Sequence, residues 1–106
     1  MRLEIETHGF GVLFDLLTSV EEGARCRIPG GAVLHLPKLP RVNPGPGHPV
    51  RIALRMECGP GVDARVTGNW LYEKLKGKVE SLRIDGSLVT VEREAITRRI
   101  QAGRGK

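Results

Sequence analysis

Aromatic side chains are scarce in this chain of 106 residues: Phe10, Phe14, Trp70 and Tyr72 are all it has. The core must therefore rest on Val, Leu and Ile, and no aromatic residue alternates with basic ones as a base-stacking platform would require. Cysteine is nearly as rare. Cys26 and Cys58 are too few for a disulfide framework and too far apart for a redox or zinc half-site, so both read as small core residues on strands. Long apolar runs are missing as well. No stretch approaches the roughly 18 apolar residues of a membrane-spanning helix, and the opening MRLEIET puts charges where a secretory signal needs an apolar run, so a cytoplasmic protein with no membrane partner is expected.

What the chain does contain is the composition of one globular domain: 40% hydrophobic and 27% charged residues, with a net charge of +5. The charge is uneven along the sequence. Residues 1–64 hold seven basic and seven acidic side chains, whereas residues 65–106 hold ten and five, so the whole excess falls after residue 64. That asymmetry favours an acidic partner, either a protein surface or a nucleic acid.

Hydrophobic periodicity sets the expected elements. Residues 2–7 alternate as a half-buried strand, with Leu3 and Ile5 on one side. Phe10, Leu13, Phe14, Leu17 and Val20 follow helical spacing, and Gly23 is placed to stop that helix after Glu22. Residues 25–28 and 32–36 read as two short strands around Pro29-Gly30-Gly31, with a single bulged strand as the competing reading. Residues 50–57 alternate clearly. A helix starts between Asp63 and Asn69, carries Val66, Trp70, Leu71 and Leu75 as its stripe, and ends at Gly77. Val79 to Val91 spells a hairpin closed by Asp85-Gly86 in a type I′ turn, which sets Ile84 opposite Ser87 and Leu82 opposite Val89. A last helix opens at Glu92, with Ile96 and Ile100 one turn apart and Arg98 and Arg99 in its last turn.

The expected fold is one α+β domain over residues 1–102 in the order β-α-β-β-β-α-β-β-α, with an antiparallel or mixed sheet and helices mainly on one face. Five prolines and two glycines make residues 37–49 a loop, and residues 103–106 form a basic tail.

No catalytic constellation stands out. His8, Cys26, His35, His48 and Cys58 lack the paired spacing of metal ligands, and Glu21-Glu22 reads as a wet helix end. A Cys26–His35 pairing across the hairpin is the one nucleophile–base arrangement left open. The glycines never form a phosphate-binding fingerprint, and the PxxP run at Pro37 to Pro40, followed by Arg41, has the form of an SH3-type ligand. Neither an enzyme nor a bound cofactor or metal is expected.

The run NWLYEKLKG, followed by a basic linker, a hairpin and a short helix, resembles the C-terminal half of small uncharacterised bacterial proteins with a Trp-Leu-Tyr-acidic-Lys-Leu-Lys-Gly helix. A long apolar helix precedes the Trp in those proteins, whereas GVDARVTG stands here. The resemblance implies no activity.

The expected function is therefore a non-catalytic protein-interaction module, an accessory or inhibitor protein. A nucleic-acid-binding protein is the alternative, and an enzyme using Cys and His the third class. The candidate contacts are Tyr72, Lys74, Lys78, Arg98 and Arg99, as one patch if the two helix ends share a side, together with Arg41 in the proline-rich loop. Trp70 reads as core and Tyr72 as the better contact; a spare strand edge or an exposed Trp or Tyr could also support a homodimer.

Overall fold

The computed structural model describes residues 1–8, 11–18, 20–38 and 50–103. Six strands form a single antiparallel sheet: β1 (Arg2–Thr7), β2 (Arg25–Arg27), β3 (Val33–His35), β4 (Val50–Glu57), β5 (Ser81–Ile84) and β6 (Ser87–Val89). Their order across the sheet is β2-β3-β4-β1-β5-β6, so β1 and β4 hold the centre. Three helices, α1 (Gly11–Leu16), α2 (Ala64–Leu75) and α3 (Arg93–Gly103), complete the α+β domain in the element order expected from the sequence.

Alternation explains the layering. Leu3, Ile5, Ile52, Leu54, Met56, Leu34, Leu82 and Ile84 point to one side of the sheet, where they meet Leu13, Leu71, Leu75, Ile96 and Ile100 from the helices. Each is 1% exposed or less. Fully burying one such side chain is worth about 1.5–3 kcal/mol, so this row supplies most of the drive to fold. The opposite side of the sheet is polar, the arrangement open to an antiparallel sheet with one wet face.

The hairpins form as expected. Asp85 and Gly86 both hold positive φ, 51° and 84°, as a type I′ turn requires, and Ile84 faces Ser87 while Leu82 faces Val89. Around Pro29-Gly30-Gly31 the chain makes a hairpin and not a bulged strand, pairing Arg25 with His35, Cys26 with Leu34 and Arg27 with Val33.

The first helix is shorter than its periodicity suggests. It stops at Leu16 and buries Val12, Leu13 and Leu16, with Leu17 following, while Phe14 is 67% exposed. Phe10 lies outside the described residues. The shortening has a tertiary cause: Gly23 N–H donates to the Leu36 carbonyl at 2.7 Å, and Ala24 N–H to that of Glu21 at 3.0 Å. Gly23, at φ 84°, thus belongs to a turn docked on the end of β3 and does not cap a helix.

In α2 the start is fixed by Asp63, whose carboxylate accepts from the N–H groups of Arg65 and Val66. Its buried stripe differs from expectation. Ala64, Thr67, Gly68, Leu71 and Leu75 face inward, Trp70 is half-buried, and Val66 is 44% exposed. Small residues win because α2 and α3 cross closely: a Cβ on Gly68 would lie 2.3 Å from Thr97 Oγ1 and 3.0 Å from Thr97 Cα. Gly30 plays the same part at the other side of α2, where Thr67 Oγ1 donates to the Pro29 carbonyl and Asp63 N–H to that of Gly30. The last helix runs to Gly103, so Arg98 and Arg99 stand in its middle and not in its last turn. Residues 39–49, including Arg41, and the tail 104–106 lie outside the described residues.

Candidate functional site

The helix-borne candidates are dispersed. Glu73 near the end of α2 pairs with Arg93 at the start of α3, while Gly68 meets Thr97 further along, so the two helices run antiparallel. Lys76, which shares Glu73 with Arg93, therefore comes beside the beginning of α3, while Lys78 turns to Asp15 on α1. Arg98 and Arg99 also part company. Arg98 lines a polar groove of about 390 Å³ with Arg65, Asn69, Thr97 and Gln101, whereas Arg99 lies on the other side of α3 with Met1, Ile84, Asp85 and Ser87.

Local partners engage most of the rest. Lys78 Nζ donates to Asp15 Oδ2 at 2.9 Å, and that hydrogen bond and charge hold the Asp15 carboxyl below its usual range. Glu73 is shifted down in the same way by hydrogen bonds from Lys76 and Arg93. The Tyr72 ring is half-buried beneath the Arg93 guanidinium at 5.0 Å and the Lys76 ammonium at 5.6 Å, and Lys74 stands 5.8 Å from the Trp70 ring. Tyr72 is thus partly covered by Arg93 and Lys76, and the five residues do not form one patch.

Cys26 and His35 do not meet as nucleophile and base. Cys26 is opposite Leu34 and so shares the core side, while His35, one residue on, takes the other face. Burial pushes the Cys58 thiol up, away from the thiolate a nucleophile needs. Among the described residues no group of three His, Cys, Asp or Glu side chains could hold a metal ion.

The open face of the sheet gathers the charges that the linear count hid. Residues directly opposite on antiparallel strands share a face, so the register puts Arg25, His35, Arg55 and Arg2 in one row across β2, β3, β4 and β1. With strands about 4.8 Å apart, that row is about 14 Å long. Arg27 flanks it next to Val33, and the adjoining rows run Ala53–Glu4–Arg83–Leu88 and Arg51–Glu6–Ser81. Six arginines thus share the strands of this face with three glutamates.

Ion pairing neutralises only part of that set. Arg25 reaches Glu57 at 2.7 Å, Arg51 reaches Glu6 at 2.8 Å, and Arg2 lies 3.6 Å from Glu4. Arg27, Arg55 and Lys38 pair with no carboxylate among the described residues, and Arg83 reaches only the Gly86 carbonyl at 3.5 Å. Arg2, Lys38, Ala53 and Arg55 also line a shallow concavity of about 510 Å³ on this face. An exposed, rigidly spaced set of guanidinium groups suits carboxylate or phosphate oxygens, which each can grip with two parallel N–H donors.

The signal was present in RLEIET, RCR, RIALRME and LRI, where the positions alternating with the apolar set hold Arg2, Arg25, Arg27, Arg51, Arg55 and Arg83 against Glu4, Glu6 and Glu57. Reading it required knowing that these strands lie side by side. No protein-family model, curated protein or solved structure matches the chain.

Proposed function

We propose that this protein is a non-catalytic interaction module that docks an acidic protein surface on the open face of its sheet. The observation that carries this reading is the transverse row Arg25–His35–Arg55–Arg2, bordered by Arg27, Arg83 and Lys38. The interleaved Glu4, Glu6 and Glu57 favour a folded protein partner of mixed charge over a uniform polyanion. Each would repel a phosphate chain laid along the row, yet each can pair with a basic side chain of a protein.

A nucleic acid on the same face is the second reading, supported by the unpaired arginines. Among the described residues the aromatic rings Phe14, Trp70 and Tyr72 all stand on helices, so none offers a stacking platform on this face. The helix groove around Arg65 and Arg98 is a weaker candidate, because Glu94 lies within it and approaches Arg98 at 3.8 Å.

The test is affinity capture from the native lysate, with and without nuclease, using the wild-type chain and Arg27→Glu with Arg55→Glu. The expected result is a discrete protein retained by the wild type, insensitive to nuclease and lost with the double variant. Its affinity should fall at least about tenfold on charge reversal and weaken with salt, as an exposed charge contact must. Material that disappears on nuclease treatment would instead establish the second reading.

A further inference from the structure

The two edges of the sheet are finished differently. At one edge β2 carries Arg25 and Arg27 and runs into Pro29, and such charges and a nearby proline discourage another strand from pairing. At the other, β6 is Ser87-Leu88-Val89 followed by Thr90 and Val91, five residues with no charge, glycine or proline. Leu88 is 67% exposed, and among the described residues no strand lies beyond β6. An uncharged edge of β-forming residues with an exposed leucine at its middle lacks the usual protection against strand addition.

The hairpin register identifies which backbone groups are free. A two-residue type I′ turn closes on a pair that exchanges both of its hydrogen bonds, here Ile84 and Ser87, and the next pair of that kind is Leu82 and Val89. Leu88, between them, directs its N–H and C=O away from β5.

We infer that β6 is a self-pairing edge, at which a second copy of this chain adds in antiparallel register with the twofold axis passing through Leu88. Leu88 of each copy then donates its N–H to the Leu88 carbonyl of the other, and Ser87 stands opposite Val89. The two Leu88 side chains meet on the open face and shield each other from water. Charge selects this edge for a second copy. Two copies of a +5 chain repel over most of their surfaces, and β6 is a stretch where they can approach without opposing like charges. The axis is perpendicular to the sheet, so both open faces look the same way and the arginine rows of two chains form one longer surface. A three-residue strand buries little area, so the association is weak and reversible.

Sedimentation velocity from about 10 µM to about 1 mM spans that range of affinity. The expected result is a monomer–dimer equilibrium that Leu88→Lys abolishes, while the far-UV circular dichroism and thermal midpoint of that variant match the wild type. A second variant fixes the register: a hydrogen-bonded antiparallel pair has Cα atoms about 5.5 Å apart, within disulfide reach. Leu88→Cys should therefore oxidise to a covalent dimer, mapped by peptide mass spectrometry to position 88 in both copies, and Ser87→Cys should do so at least about tenfold more slowly. A monomer throughout the concentration range, a dimer indifferent to Leu88→Lys, or equal cross-linking at positions 87 and 88 would each overturn the inference.

Discussion

Single residues decide how closely the layers approach. Gly68 has no Cβ because α3 occupies that space, with Thr97 Oγ1 at 2.3 Å and its Cα at 3.0 Å. The hydroxyl can rotate away, but the backbone atom cannot. Gly68→Ala should destabilise the fold by about 1–3 kcal/mol despite the better helix propensity of alanine. Gly59, with nothing within 4 Å of the position its Cβ would take, is the control, and Gly59→Ala should lie within about 0.5 kcal/mol of the wild type in urea unfolding. From the sequence, Gly68 is a weakness in an early helical turn; its actual role depends on Thr97, 29 residues later, which no local pattern reports.

Elements show where periodicity suffices and where it fails. The strands and both hairpins were legible because alternation and turn chemistry are local, and Asp85-Gly86 sets a register that the backbone then follows. The first helix ends earlier than its periodicity predicts because the chain after it is held by hydrogen bonds with Leu36 from across the chain. The inward face of α2 departs from its apolar stripe for a related reason, since close approach selects Ala64, Thr67 and Gly68 over the larger Val66 and Trp70. Lys78 ties the loop after α2 to α1 through Asp15, whose carboxyl is held below its unfolded range. The stability this pair contributes is present above the unfolded carboxylate value of about 3.9 and is lost as pH falls through the lowered folded value. The stability difference between the wild type and Lys78→Met, followed by chemical denaturation, should therefore be small and constant at neutral pH and vanish in acid. Both groups are exposed, so added salt should also shrink it.

At the scale of the whole molecule, the fold sorts charge that the sequence leaves mixed. Residues 1–64 are balanced in number, but strand alternation carries Arg2, Arg25, Arg27, Arg51 and Arg55 to one face with Glu4, Glu6 and Glu57, while Asp15 lies on α1 and Asp63 caps α2. The positive excess of the linear sequence falls after residue 64, whereas the register gathers strand arginines on one face of the sheet, with Arg83 as the contribution from the C-terminal part. Of the helix-borne candidates, Lys78 is engaged by Asp15, Lys74 stands by the Trp70 ring and Tyr72 lies beneath Arg93 and Lys76, whereas Arg98 approaches only Glu94, at 3.8 Å, among the described residues. The most direct measurement is amide chemical-shift mapping during titration with a soluble peptide rich in Asp and Glu. Docking on the open face requires shifts concentrated at Arg27, His35, Ala53, Arg55 and Arg83, with α2 and α3 unmoved; shifts centred on Arg65, Arg98 and Gln101, or none anywhere at low salt, would contradict it.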